Sequence, residues 1–447
     1  MIRDTIVANA TPLIPSGVAV IRISGEKALE IGKKLFKISK DIEPRKVYFS
    51  KIIDREGNII DEGLLIYFKK PASFTGEDVI EIYPHGSIPV VKKIIEEAIY
   101  FGARFANPGE FTERAFLNGK IDLVQAEAIA ELISAKTQKA AKAAVNILEG
   151  KLSKKINSLR ESLIELITLI EAEINFPEDI EEIDSDFIIS KLKEVEKNLS
   201  DLLFTYKKGE IIRQGIKLAI VGRPNVGKSS LFNAFIGYER SIVSEISGTT
   251  RDFIEERVKI KDIPIILLDT AGIRETTDKI EKLGIEIAKR KIDEADIVIF
   301  VFDVSQGFTE EDLKIYNEIK DKNHIIVGNK VDLGKKGLDN FIKSDNIIYT
   351  SSVSAIGLKE LEEKILEKVG ISEVEDEVYI NLRQKILIEK AIENIKSIEK
   401  EIDFLIKNKE ILMLNIQEIE KNLDEIIGFI TTEDILGSIF SKFCIGK

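Results

Sequence analysis

The chain has one cysteine, Cys444, and two histidines, His85 and His324, among 447 residues. A single thiol excludes any disulfide framework within the chain, and so few soft ligands argue against a Cys/His zinc centre. Long apolar stretches are missing too. Runs such as Ile297–Phe302 are strand-sized, far short of the roughly 20 residues that span a bilayer. The opening MIRDTIVANATP has no basic segment leading into an apolar one, so no signal peptide is expected and the cytoplasm is the default location. Positive charge is in deficit, with a net charge of -12. The chain as a whole is therefore no magnet for nucleic acid. Any RNA must be held at a restricted site or through a second protein.

What is present suits a globular chain: 44% hydrophobic and 32% charged residues, in a length that predicts about two to four domains. No fixed-period repeat or low-complexity tract occurs. Residues 1–118 mix short β-like runs (18–23, 64–68, 79–83) with a helical pattern over Val90–Tyr100, an α+β or α/β unit. From about Ile121 the texture turns helical. Leu152, Ile156, Leu159, Leu163, Leu166 and Ile170 share one helix face, and Phe176-Pro177 ends that helix. Leu192, Val195, Leu199, Leu202 and Tyr206 repeat the spacing, as do Ile388–Leu405 and Leu412–Ile426 farther on. Each stripe is short enough for packed bundle helices rather than an extended coiled coil. Between these blocks, Lys217–Val221, Ile263–Leu268, Ile297–Phe302 and His324–Val327 are near-continuous apolar runs, the pattern of parallel strands buried on both faces. The expected order is 1–118, a helical half at 119–213, an inserted α/β domain at 214–371, and a second helical half at 372–447.

Three motifs in that inserted domain describe a guanine-nucleotide site. GRPNVGKS at 222–229 follows a strand and opens a helix, as a phosphate loop requires. Gly222 and Gly227 let backbone N–H groups curl around phosphates, Lys228 reaches the β- and γ-phosphates, and the Ser229 hydroxyl suits Mg²⁺. Asp269-Thr270-Ala271-Gly272 ends an apolar strand, placing a carboxylate for the Mg²⁺ shell and a glycine N–H for the γ-phosphate. Asn329-Lys330-Val331-Asp332 supplies the base contact. Asp332 accepts two hydrogen bonds from the guanine edge, which adenine cannot donate, a demand that discriminates by about 10⁴-fold. Ser354-Ala355 is the expected final base loop. Gly248-Thr249-Thr250-Arg251-Asp252 lies where a switch segment belongs, with Thr250 as a second Mg²⁺ hydroxyl.

One substitution in this pattern matters. Where many small GTPases carry a water-orienting glutamine, this chain has Ile273, which cannot hydrogen bond. Another group must then orient the water, with Glu281 and Glu275 downstream as candidates. Charge developing between the phosphates needs Arg251, Arg274 or a monovalent cation, for which the side-chain carbonyl of Asn225 is suited; Asn225 equally reads as loop geometry alone.

These motifs combine with Asp4-Thr5-Ile6-Val7-Ala8, Ser73-Phe74-Thr75-Gly76-Glu77-Asp78, Pro108-Gly109-Glu110-Phe111, Arg114-Ala115-Phe116-Leu117-Asn118, Gln125-Ala126-Glu127-Ala128-Ile129 and the terminal Phe443-Cys444-Ile445-Gly446-Lys447. With them the chain resembles, over its whole length, the MnmE (TrmE) family of tRNA-modification GTPases. The resemblance implies an N-terminal domain similar to folate-binding aminomethyltransferases, which builds a homodimer and binds 5-formyl-tetrahydrofolate or a related one-carbon folate through Arg22, Glu81, Lys120 and Lys447. It implies a helical domain interrupted by a Ras-like GTPase domain. The implied partner is an FAD-dependent MnmG protein, in a heterotetramer that adds an aminomethyl or carboxymethylaminomethyl group to C5 of the wobble uridine of certain tRNAs. GTP contacts carry over to Asn225, Val226, Gly227, Lys228, Ser229 and Ser230; to Ser244, Glu245, Ile246, Ser247, Gly248, Thr249 and Thr250; to Asp269, Thr270, Ala271 and Gly272; and to Asn329, Lys330, Val331, Asp332, Ser354 and Ala355.

The resemblance further implies a potassium-activated GTPase whose G domains approach each other across the dimer. Asn225, Ser244, Ile246 and Thr249 would hold the K⁺, with Mg²⁺ on Ser229 and Thr250, and Glu281 would position the water through an intermediary. Cys444 has two readings: a catalytic thiol with its pKa lowered by Lys447, or a small residue packing the tail beside the folate pocket. Two other functions stay open on the motifs alone, a regulatory or ribosome-assembly GTPase without modification chemistry and a folate-dependent one-carbon transferase.

Overall fold

The computed structural model describes residues 4–179, 182–238, 257–268, 290–336, 347–370 and 378–446. They form two compact units: 1–134, 144–199 and 386–447 make one, and 135–143 with 200–385 make the other.

The first unit begins with β1 (Thr5–Asn9), β2 (Ile21–Ser24), α1 (Ala28–Leu35), β3 (Val47–Ile53), β4 (Ile59–Phe68), β5 (Val79–Tyr83), α2 (Ile88–Tyr100), β6 (Ala103–Phe105) and α3 (Glu110–Leu117). The strands form one sheet in the order β3-β4-β5-β2-β1-β6. Period-2 alternation sorts its two faces. Val7, Ile21, Ile23, Leu65, Ile80 and Ile82 pack under α1 and α2 to make the core. Ile6 and Ala8 turn the other way, onto Phe111 and Ala106. The strand expected from Val18 starts later, at Ile21. Val18 is exposed, and the segment before Ile21 makes only scattered backbone bonds, Ser16 with Gly86, Ala19 N–H to the Pro84 carbonyl at 3.0 Å and Ala10 N–H to the Val20 carbonyl at 2.7 Å. Apolar residues alone do not make a strand where the backbone bonds do not continue as a ladder.

The helical blocks form as their stripes predict. α4 (Leu123–Ser134) and α5 (Gln138–Leu148) lead to α6 (Lys151–Asn175), and α7 (Ser185–Gln214) follows. After the second unit come α11 (Leu382–Leu405), α12 (Lys409–Ile427) and α13 (Glu433–Phe440). The predicted stripe of α6 is its buried face, and Leu412, Ile416, Ile419, Leu423 and Ile426 are that of α12. These two helices pack along one another. Arg160 of α6 ties them by pairing with Asp424, with Glu420 at 3.3 Å, and by lying 5.0 Å from the Phe429 ring centre. Phe440 and Phe443 cover Leu123 and Ala126, which carries the C-terminal segment back to the start of α4.

The second unit contains β7 (Ile216–Val221), α8 (Lys228–Tyr238), β8 (Arg257–Ile260), β9 (Ile263–Leu268), β10 (Ile297–Asp303), α9 (Glu310–Ile319), β11 (His324–Asn329), β12 (Ile347–Tyr349) and α10 (Leu358–Lys368). Its sheet order is β12-β11-β10-β7-β9-β8, and every pairing is parallel except β8 with β9. All seven residues of β10 are buried, the reason the run lacks alternation.

Candidate functional site

The C-terminal ends of β7, β10, β11 and β12 point to one edge of the second unit, where the loops at 222–229, 303–309, 329–336 and 350–357 begin. Ligands of open parallel sheets bind in that position. Here the first and third of these loops are joined by side chains. Asn329, 1% exposed, donates from Nδ2 to the Val226 carbonyl at 3.1 Å. Its Oδ1 accepts the Thr350 and Ser352 hydroxyls, both at 3.2 Å. Lys330 donates from Nζ to the Asn225 carbonyl and to Asp303 Oδ2, both at 2.7 Å. Asn225, Lys330 and Ala355 have φ of 62°, 64° and 57°, left-handed turns that steer their loops.

Gly227 shows why glycine is needed: its φ is +96°, and a Cβ there would lie 2.3 Å from Asn329 Nδ2. Lys228 folds back over the loop, donating to the carbonyls of Gly222 at 2.8 Å and Arg223 at 2.7 Å. Burial pushes the Lys228 ammonium below its ordinary pKa. Among the described residues it contacts carbonyl oxygens and no carboxylate, so an arriving anion would provide the countercharge. Ser229 and Ser230 are exposed on the first turn of α8, where the helix dipole favours negative charge. The exposed Ser229 hydroxyl fits a ligand role toward Mg²⁺. Asp332 and the Ser354-Ala355 turn are exposed at the rim.

Ser244, Glu245, Ile246, Ser247, Gly248, Thr249, Thr250, Arg251, Asp269, Thr270, Ala271, Gly272, Ile273, Arg274, Glu275, Glu281 and Lys447 lie outside the described residues. The structure adds two residues that motif reading missed. Arg223 donates from Nε to the fully buried Asp312 at 2.7 Å, and Asp303 anchors Lys330. The available signal was an aspartate closing an otherwise apolar strand.

A second group of candidates lies in the first unit. Arg22 and Glu81 are cross-strand neighbours on the sheet face opposite α1 and α2, and they bind each other: Nε to Oε1 at 2.9 Å, Nη2 to Oε1 at 2.8 Å. Glu81 Oε2 accepts the Tyr83 hydroxyl at 2.6 Å; burial, helped by that carboxylate, pushes the hydroxyl pKa up to about 12. The Arg22 guanidinium lies 5.5 Å from the Phe74 ring centre and 5.7 Å from that of Phe111. Among the described residues its bonds run from Nε and Nη2, which leaves Nη1 as a donor for a ligand carboxylate or carbonyl. That donor set fits a folate.

Lys120 is exposed, its stem beside Gly76, where an added Cβ would lie 3.3 Å from Lys120 Cγ. It also lines a cavity of about 510 Å³ with Phe116, Asn157 and Phe429. Cys444 is exposed. Gly446, with φ of +94°, lies so close to β1 that a Cβ would stand 2.3 Å from the Asn9 carbonyl oxygen. Ala8, the next residue back, is the register partner of Arg22. Gly446 thus lies against β1, the strand next to β2, which carries Arg22.

Among the described residues no His, Cys, Asp or Glu cluster could hold a metal ion, and no helix is long and apolar enough to cross a membrane. A family model for the GTP-binding protein TrmE N-terminus matches residues 5–120, and one for the MnmE helical domain matches residues 123–444. A tRNA modification GTPase MnmE from Aquifex aeolicus is 51% identical over 448 residues, covering 100% of both chains. Proteins of the same name from Acetivibrio thermocellus and Fervidobacterium nodosum are each 44% identical, covering 100% of this chain and 99% and 98% of theirs. Matched from end to end by relatives of one name and by both family models, the chain belongs to the MnmE family of tRNA modification GTPases.

Proposed function

We propose that this GTPase spends GTP hydrolysis on opening and closing paired G domains during modification of the wobble uridine of certain tRNAs. It would act with an FAD-dependent MnmG partner that completes a heterotetramer. The product would carry an aminomethyl or carboxymethylaminomethyl group on C5, with a formyl-tetrahydrofolate-type cofactor as carbon source. The observation that carries the nucleotide half is the double link between loops, Asn329 to Val226 and Lys330 to Asn225. It ties residues 329–330 to the loop 222–229, which supports reading the two loops as base and phosphate contacts of one guanine nucleotide.

In this reading Lys228 leaves the carbonyls of Gly222 and Arg223 for the β- and γ-phosphates, and Asp332 accepts hydrogen bonds from the guanine edge. Ser229, Thr250 and Asp269 would hold or orient Mg²⁺, which supplies charge neutralisation at the phosphates. Asn225, Ser244, Ile246 and Thr249 would hold K⁺, which supplies positive charge where a bridging oxygen becomes anionic. Glu281 would orient the attacking water, and Ser354-Ala355 would close over the base.

The second half rests on the Arg22–Glu81 pair and on Gly446 lying against Asn9, one residue from Ala8, the register partner of Arg22. Arg22, Glu81, Lys120 and Lys447 would hold the folate, which supplies the one-carbon unit. A homodimer formed through the N-terminal domain would present two such sites. The exposure of Cys444 supports a thiol accessible to substrate, and equally a tail residue without chemistry.

Mass spectrometry of wobble nucleosides tests the coupling: a deletion strain complemented with Asp269→Ala should remain undermodified. Full modification there rejects GTP coupling and favours a simple folate transferase. Equal GTPase rates in sodium and potassium would remove the cation assignment and return the role to Arg251 or Arg274. A purified dimer that never takes up a reduced folate would instead favour a regulatory GTPase.

A further inference from the structure

One connection, residues 303–312, holds the phosphate loop from one side. At its start Asp303, 1% exposed, accepts Lys330 Nζ through Oδ2, and Lys330 passes the link to the Asn225 carbonyl. Asp303 Oδ1 is itself fixed by the Ser305 hydroxyl at 2.6 Å and backbone N–H at 3.0 Å. At its end Asp312, fully buried, accepts Arg223 Nε through Oδ1. Its Oδ2 takes the Thr309 N–H at 3.0 Å and hydroxyl at 2.8 Å, closing the capping box of α9. The Arg223 carbonyl is in turn one of the two that hold Lys228.

We propose that Asp303 and Asp312 are positioning residues of the guanine-nucleotide site: through Lys330 and Arg223 they hold the phosphate loop in its binding conformation. The inference rests on the reading that residues 222–229 and 329–332 bind GTP. Each carboxylate acts through a cation, Asp303 through Lys330, which reaches the Asn225 carbonyl, and Asp312 through Arg223, which belongs to the phosphate loop. A buried carboxylate cannot exchange its partner for water, so each link is directional and persistent. Burial opposes ionisation of Asp303, yet the Lys330 ammonium and the Ser305 hydroxyl overcome it and keep the carboxyl below its ordinary pKa. The link is therefore charged at neutral pH. Asp303 sets where the Asn225 carbonyl points, and Asp312 sets the residue that cradles Lys228. Loss of either should let the loop relax in the free protein, which weakens binding by the fraction of molecules no longer competent.

The test is a double-mutant cycle on the full-length protein, read as the dissociation constant of a fluorescent GDP analogue. Asp303→Asn should bind about 10-fold more weakly, and Asp303→Asn with Lys330→Met no more weakly than Lys330→Met alone. Asp312→Asn and Arg223→Met should behave in the same way. Ser305→Ala, which removes a half-buried hydroxyl and leaves the charges in place, should weaken binding by about threefold while folding normally. Additive losses in both cycles, or GDP binding by Asp303→Asn and Ser305→Ala within twofold of the parent, would overturn the proposal and leave the aspartates as fold residues. Lys228→Ala separates the two levels. Undiminished GDP binding by that variant removes the underlying site reading, whereas its loss beside normal Asp303→Asn removes this inference alone.

Discussion

Replacing Gly227 by alanine probes the join between the two nucleotide loops. The residue holds φ at +96°, and its added Cβ would lie 2.3 Å from Asn329 Nδ2, against at least 3.4 Å for ordinary contact. The colliding atom ends a side chain, which elsewhere could swing away. Here the amide is 1% exposed and held by Val226, Thr350 and Ser352, so moving it about 1 Å breaks three hydrogen bonds at once. Backbone strain at that φ costs about 1–3 kcal/mol, and a buried amide left partly unsatisfied costs about 1–3 kcal/mol more. If half of that total falls on the loop that receives the phosphates, GDP affinity drops by roughly 5- to 150-fold, since about 1.4 kcal/mol is tenfold. Titration of the full-length variant with a fluorescent GDP analogue, beside a thermal melt without nucleotide, measures both shares. Affinity within threefold of the parent, in a protein that melts at the parent's temperature, would refute the claim that the Gly227–Asn329 contact sets the loop.

Gly446→Ala should displace the tail from the Asn9 carbonyl and abolish wobble-uridine modification in a complementation assay, while GTP turnover stays within about twofold. Glu97, with its side chain fully buried, is held below the ordinary 4.5 by the Arg55 guanidinium first, against burial, and then by Lys93. A depressed folded-state pKa means that its stabilisation is present above the unfolded value and is lost as pH falls through the folded one. The parent's melting temperature should therefore drop steeply below about pH 4.5, with Glu97→Gln starting lower at neutral pH and falling less; parallel curves would contradict this. Lys228 carries the same sign in a more alkaline window: its depressed pKa means the free protein gains stability as pH rises through that value toward 10.5. Nucleotide binding in that window should take up a proton, seen as buffer-dependent calorimetric enthalpy that Lys228→Ala lacks. Arg160→Ala breaks the link from α6 to Asp424, Glu420 and Phe429, and should lower the melting temperature by roughly 5–10 °C in differential scanning calorimetry.

Periodicity made the helices of both blocks and the buried strands of the second unit readable, because burial imposes spacing on any stripe that must face a core. The motifs 222–229 and 329–332 were readable for a related reason: phosphate and guanine each demand a few residue types at fixed separations. The late start of β2 was not readable, since Val18 has the composition of a strand and only the lack of a continuous ladder at its exposed position excludes it. The Arg22–Glu81 ion pair was hidden as well, because the register between β2 and β5 is set by the whole sheet and by no local signal. Nor did any spacing reveal that Asp303 and Asp312 grip the phosphate loop, or that Gly446 closes on Asn9, residues 437 positions apart in the chain. By itself the sequence determined which segments become helix or strand and which chemistry the loops can offer. Only the tertiary structure decided which charged groups meet, because pairing across long loops depends on packing that no single stretch of residues encodes.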